Sequence, residues 1–227
     1  MTDQVFPVYT HGRRDQAKVA LTFDDGPNPP RTEQVLDVLA AAGVRATFFL
    51  IGKWVDRWPR SVERIAAAGH VIGNHSYLHV RSVSDYDQAQ AAIGHVTGQA
   101  CVHGRAHLFD YPSYALWHAV EEEAVLTIDS DANPADWSST SADEIVRATL
   151  EHPNLGNGSI IDLHDSSEFD DDPARLARPT AMIAALPRII DGLRARGYQL
   201  VGLDELELTE PKHWRPGRVG TAHQWDD

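Results

Sequence analysis

The sequence predicts an α/β fold, on three observations. Short apolar runs rich in β-branched and aromatic residues, at 19–23, 45–51 and 71–72, alternate with amphipathic stretches at 32–42 and 61–68. The alternation has the spacing of repeated strand–helix units, which within one domain give either an open parallel sheet or a closed barrel. Asp and His also gather at the carboxyl ends of the apolar runs: Asp24 and Asp25, His75, Asp129 to Asp131, and His164. Functional residues of such folds sit on the loops after those ends. Chance surface polarity would not prefer one end of the strands.

Taken in order, residues 19–23 read as a buried strand ending in two carboxylates and a Gly-Pro breaker. Residues 32–42 read as a helix with an apolar stripe of Val35, Leu36, Val38 and Leu39, closed by Gly43. A strand over 45–51 stops at Gly52, and Trp54 and Trp58-Pro59 follow in a loop or short helix. Ser61 is placed to cap a helix through Ala68 that Gly69 ends. After a brief strand at 71–72, residues 85–96 read as a helix with Ala89, Ala92 and Ile93 on one side. The stretch 102–114 gives no regular pattern. Strands are expected at 124–128, 159–165 and 198–201, and helices at 142–150 and 180–196, the second kinked or interrupted by Pro187. Residues 168–179 form a long acidic loop, 203–206 a short turn or helix, and the polar tail from Pro211 is expected to fray.

At 227 residues the chain can bury one full core, and its hydrophobic fraction of 42% is that of a soluble globular protein. Lys and Arg total 20 against 33 Asp and Glu, a formal net charge of −13. Nucleic acid and anionic membrane both want a basic face, so neither is expected as a partner. A single cysteine, Cys101, excludes an internal disulfide and a thiolate metal cluster, and it reads as a packing residue. No run approaches 18 apolar residues, so no membrane span is expected, and the polar start lacks the apolar core of a signal peptide. The expected location is cytoplasmic, unless an export segment has been trimmed.

Asp24 and Asp25 are costly neighbours unless something positive shares their site. Adjacent strand residues point to opposite faces, but where a strand ends the backbone can turn both into one cleft. His75-Ser76-Tyr77-Leu78-His79 supplies two imidazoles four positions apart, on one face if the segment is helical. Two His and one Asp form a donor set suited to Zn²⁺, and also to Co²⁺, Fe²⁺ or Mn²⁺, with coordination positions left for water and substrate.

On four segments the chain resembles the NodB-type polysaccharide deacetylases, carbohydrate esterase family 4. They are Thr22-Phe23-Asp24-Asp25-Gly26-Pro27, the His75 to His79 segment within its Gly73-Asn74 context, Asp136-Trp137, and Leu163-His164-Asp165. The closing Ala185-Leu186-Pro187, Gly197-Tyr198 and Leu203-Asp204-Glu205-Leu206 are similar to that family's C-terminal segment. The resemblance spans residues 18–208, between an N-terminal segment at 1–17 and a polar tail at 209–227. It implies an irregular (β/α)7-like barrel, the NodB homology domain, and a metal-dependent deacetylase using one divalent ion, Zn²⁺ first. The metal ligands would be Asp25, His75 and His79. Asp24 would be the general base, and His164 the general acid oriented by Asp136. Leu163 and Trp137 would line the pocket for the acetyl methyl.

One segment departs from the pattern. The family's Arg-x-Pro-Tyr-type stretch, whose arginine contacts the base and whose tyrosine lends an oxyanion N–H, finds its nearest match at Phe109-Asp110-Tyr111-Pro112-Ser113-Tyr114. There Asp110 stands at the arginine position and Ser113 at the tyrosine position, so Asp110, Tyr111 and Ser113 are expected around the substrate. A carboxylate facing Asp24 would raise its pKa; Arg105, just before, is the other residue able to supply a cation. Asp162 shares a strand face with His164 and, like Asp131, is either a rim residue or a contact for an amino-bearing substrate. The expected activity is deacetylation of an N-acetylated sugar, oligosaccharide or polysaccharide. The alternatives are hydrolysis of a small non-peptide amide on the same fold, and a non-catalytic carbohydrate-binding relative.

Overall fold

The computed structural model describes residues 6–79, 83–106, 125–166, 177–215 and 224–226. Its centre is a parallel sheet of seven strands. These are β2 (Lys18–Asp24), β3 (Thr47–Leu50), β4 (Val71–Asn74), β5 (His103–Gly104), β6 (Leu126–Thr127), β7 (Ile160–His164) and β8 (Gln199–Val201). Their order is β6-β5-β4-β3-β2-β7, and β8 pairs with the first half of β2. The chain leaving β6 bridges to β7, where the N–H of Ala132 donates to Ile160 and the carbonyl of Ala132 accepts from Asp162. The sheet is thus curved and partially closed, consistent with the distorted (β/α) barrel expected from the sequence.

Among the described residues six helices cover the outside: α1 (Arg31–Ala42), α2 (Gly52–Arg57), α3 (Pro59–Ala67), α4 (Val83–Thr97), α5 (Ala142–Leu150) and α6 (Ala177–Ala195). The strands alternate as period-2 geometry demands. Val19, Leu21, Phe23, Phe48, Leu50, Ile161 and Leu163 face the helices and join the main apolar core with Val35, Leu39, Ile65, Met182 and Ile189. Inside the barrel, Ala20, Phe49, Ile128, Ile160, Val201 and Leu203 make a second, smaller core.

The inward residues of β2 and β7 sit side by side in layers: Ala20 beside Ile160, Thr22 beside Asp162, Asp24 beside His164. Read upward toward the carboxyl ends, the interior changes from apolar to polar to chemically active. This layering is what places the site.

Several local expectations are corrected. Residues 52–67 are two helices, the first being the short helix that is one of the two expected forms, and Trp58 rather than Ser61 is at the cap of α3. Pro59 supplies the pre-set φ at the start of that helix, while Ser61 donates to Glu33 at 2.6 Å. Helix α6 runs through Pro187 without interruption, its apolar face buried along Met182, Ala185, Leu186, Ile189, Ile190 and Leu193. The tail does not simply fray: β9 (Lys212–Arg215) pairs antiparallel with β1 (Phe6–Val8) and β10 (Gln224–Asp226), its backbone groups satisfied in a small separate sheet. The acidic stretch of 168–172 lies outside the described residues. Among the described residues no helix is long and apolar enough to cross a membrane.

Candidate metal centre and active site

Strand β2 delivers both aspartates to one cleft, because Asp25 turns the chain with a left-handed φ of 74°. His75 and His79 follow β4, but not on a helix. Ser76 and His79 also have positive φ, 66° and 59°, in a tight bend that holds the two rings edge to face with centroids 4.8 Å apart. The Nε2 atoms of His75 and His79 lie 3.5 and 3.3 Å from Asp25 Oδ1, so the three expected metal ligands do converge.

The donor set fits a divalent cation. His75 Nδ1–H donates to the backbone carbonyl of Arg105 at 2.9 Å, which fixes the tautomer and turns Nε2 toward Asp25. Burial pushes the His75 pKa down to about 3, so the ring is neutral and its Nε2 lone pair is available in the working pH range.

Asp24 is buried beside this cluster, its Oδ2 3.6 Å from His75 Nε2. Its other oxygen accepts from Arg105 Nη1 at 2.8 Å. Burial alone would raise the Asp24 pKa, but the charges of Arg105 and His164, with the Arg105 hydrogen bond, hold it below the usual carboxylate range.

Arg105, one of the two residues expected near Asp24, is thus its partner. Arg105 follows the two-residue strand β5 at its carboxyl end, where the other functional residues of the sheet also sit. Its guanidinium is fully buried, packs over the Phe49 ring at 4.2 Å, and donates to Thr22 Oγ1, Asp24 and Asp162 from Nη1. Asp110, Tyr111 and Ser113 lie outside the described residues. The cation was hard to align because β5 is too short to give a strand pattern.

His164 stands next to Asp24 in register. Asp136, buried in a 3₁₀ turn at Asp136–Ser138, accepts from both the Nδ1–H and the backbone N–H of His164 at 2.9 Å. Burial works against charging this imidazole, yet Asp136, its hydrogen bond and Asp162 raise the His164 pKa well above the ordinary value. Nδ1 is committed to Asp136, so Nε2 is the nitrogen able to pass on a proton.

Asp162 is a buried member of the layer beneath. It accepts from Arg105 at 3.2 Å and from Asn133 Nδ2 at 2.9 Å, and burial pushes its pKa up to about 8. Asp131 binds Arg14, Ser159 and the N–H of Ile160, which makes it a strut between β7 and the N-terminal segment. Trp137 leaves 52% of its surface exposed beside Asp136, whereas Leu163 alternates to the helix side and is wholly enclosed in the main core. Sequence reasoning missed Asn133 and also Asp165, which accepts from Thr32 Oγ1 at 2.5 Å against the backbone of Gly26. Asp165 closes the Leu163-His164-Asp165 segment but has no role assigned to it there, and Asn133 carries no motif signal beyond its neighbours.

A hydrolase that works through a bound divalent ion, on a distorted α/β barrel, is the class of protein this fold and site define. The family model for polysaccharide deacetylase matches residues 11–121. A chitooligosaccharide deacetylase of Sinorhizobium fredii is 35% identical over 205 residues, covering 82% of this chain and 90% of the relative. A peptidoglycan-N-acetylglucosamine deacetylase of Bacillus cereus is 32% identical over 206 residues, covering 87% of this chain and 71% of the relative. Among solved structures, a peptidoglycan N-acetylglucosamine deacetylase in complex with 4-naphthalen-1-yl-N-oxidanyl-benzamide superposes with a TM-score of 0.79 at 30% identity, over 88% of this chain and 92% of that one. The chain belongs to the polysaccharide deacetylase family, and its site makes it a metal-dependent deacetylase.

Proposed function

We propose that the protein hydrolyses the N-acetyl group of an amino sugar within an oligosaccharide or polysaccharide, with Zn²⁺ as the resident ion. The observation that carries this reading is the arrangement of three ligands, an anionic buried Asp24 beside them, and a protonated His164 next to Asp24 on the neighbouring strand. The named substrates of the two relatives share one chemical unit, N-acetylglucosamine. Two imidazoles and one carboxylate suit Zn²⁺ in a catalytic site.

Held by Asp25, His75 and His79, the ion would polarise the amide carbonyl and lower the pKa of a water molecule. Asp24, kept ionised by Arg105, takes the proton of the attacking water and orients it. His164 protonates the leaving amine, which is a poor leaving group without that proton, and Asp136 keeps the imidazole in the required tautomer. Trp137 offers an exposed indole face at the rim against which a sugar can lie.

The non-catalytic alternative drew its force from a base without a cation, and Arg105 removes that motive. The test is acetate release from N-acetylglucosamine oligomers, abolished by a chelator and restored by Zn²⁺ or Co²⁺, with metal analysis of the isolated protein alongside. Turnover of small amides with no acetate from any oligosaccharide would refute the sugar assignment. A protein that neither carries nor gains metal would refute the mechanism.

A further inference from the structure

The loop that carries both histidine ligands has a backbone that does not hold itself. Ser76 and His79 are in the left-handed region, where a side chain with a Cβ is strained, and regular hydrogen bonding ends at Asn74. Something outside the loop must fix it. Its own contacts do part of this: Asn74 Oδ1 accepts from the N–H of Ser76 at 2.8 Å, and Ser76 Oγ accepts from the N–H of His79 at 3.1 Å. The middle of the loop is held from elsewhere.

Asp85, in the first turn of α4, is buried and points its carboxylate back at that loop. Oδ2 accepts from the N–H of Tyr77 at 2.9 Å, and the N–H of Leu78 donates to both oxygens, at 2.9 and 3.1 Å. An acid at this position ordinarily answers the free N–H groups of its own helix. This one answers two consecutive N–H groups of another segment, both lying between the two metal-binding imidazoles. The same helix grips the start of the loop, since Asn74 Nδ2 donates to the carbonyl of Tyr86 and to Gln90 Oε1. Gly52 and Lys53 close the other side by donating to the carbonyls of Ser76 and Tyr77.

We propose that Asp85 is a positioning residue for the metal centre: by clamping the N–H groups of Tyr77 and Leu78 it sets the separation and tilt of His75 and His79, and hence the affinity for the ion. It touches neither substrate nor ion. The inference rests on the reading of Asp25, His75 and His79 as metal ligands. A charge-assisted hydrogen bond to two backbone amides is among the stronger restraints a protein can place on a loop, and supporting residues of this kind typically govern about 10–100-fold in metal affinity.

The experiment is competition for Zn²⁺ against a chromophoric chelator, and the visible spectrum of the Co²⁺-loaded protein, in wild type, Asp85→Asn and Asp87→Asn. Asp87 is exposed on the same helix and changes charge by the same amount without reaching the loop. Expected are an affinity about 10-fold or more weaker and an altered Co²⁺ band in D85N, with D87N like wild type. Should D85N fold poorly, amide hydrogen exchange in the wild-type protein tests the same clamp, with Tyr77 and Leu78 expected among the slowly exchanging amides. Equal affinity in D85N and wild type, equal loss in D87N, or fast exchange at both amides would each overturn the proposal. Wild-type protein that takes up no metal would overturn the ligand assignment itself, and with it this inference.

Discussion

Asp24 and Arg105 are buried together, and the carboxylate would not keep its charge there alone. The pair matters because a base that holds a proton cannot take one. Replacing Arg105 with methionine keeps much of the packing over Phe49 but removes the cation from both Asp24 and Asp162. Deacetylation by R105M is expected to fall by about 10²-fold or more, and stability by about 3–5 kcal/mol because buried carboxylates are left unmatched. Bound metal should survive, since His75 is held by the carbonyl of Arg105, which belongs to the backbone. Metal analysis beside the rate and a denaturation curve separates these effects; loss of metal in step with activity would contradict the division of roles.

A second prediction at this scale concerns pH. His164 acts in its protonated form, and Asp136 raises its pKa well above the ordinary value, so wild-type activity should persist beyond the pH at which an ordinary histidine has lost its proton. In Asp136→Asn the two largest influences that raise the pKa are gone, while burial, which lowers it, is opposed only by the weaker charges of Asp162 and Asp25. The alkaline limb of kcat/KM should therefore move to lower pH. A profile whose alkaline limb is unchanged in D136N would remove His164 from the role of acid.

Among the elements, the ones easiest to read were those with long apolar patterns. Strands β2 and β7 and helices α1 and α5 fall within a residue or two of expectation because their periodicity is complete over several residues. Strand β5 is two residues, too short for any period, and with it went the position of Arg105, whereas β6, just as short, lies within the strand expected over 124–128. The His75–His79 segment was legible as a ligand pair but not as a shape. Four-residue spacing suggests a helical face, whereas the rings meet across a bend stabilised by a distant carboxylate. Motif spacing gives the donors, and long-range hydrogen bonds give their geometry.

That bend is squeezed between α2 and α4, and Gly52 shows how tightly. A Cβ there would lie 2.4 Å from Tyr77 Cδ2 and 2.8 Å from Ala89 Cα. Gly52→Ala must push the loop and α4 apart, an overpacking expected to cost about 1–3 kcal/mol. At Gly156 the nearest atom to a new Cβ is 4.0 Å away, so Gly156→Ala should change stability by no more than about 0.5 kcal/mol. Thermal unfolding of the two variants reads the contrast; equal midpoints would mean the loop is not clamped between these helices.

At the scale of the whole molecule, the barrel interior gathers its charged groups in one layer, with Asp25, His75 and His79 brought together at the top. Arg105 is shared by Asp24 and Asp162, Asp136 is matched by His164, and Asp25 faces the imidazoles of His75 and His79. An ion there joins β2 to the loop after β4, segments far apart in sequence, so its binding should stabilise the fold as a unit. With free metal at 100 times the dissociation constant, the linkage is worth about 2.7 kcal/mol. For a chain of this size each kcal/mol moves the midpoint by about 2–4 °C, so Zn²⁺ should raise Tm by about 5–11 °C. Chelation should reverse the rise. Asp25→Asn should abolish it, whereas Asp24→Asn, whose carboxylate serves the water rather than the ion, should keep most of it. Scanning calorimetry of the three proteins with and without metal measures all of this, and a shift retained in D25N would move the ion away from the triad on which the mechanism depends.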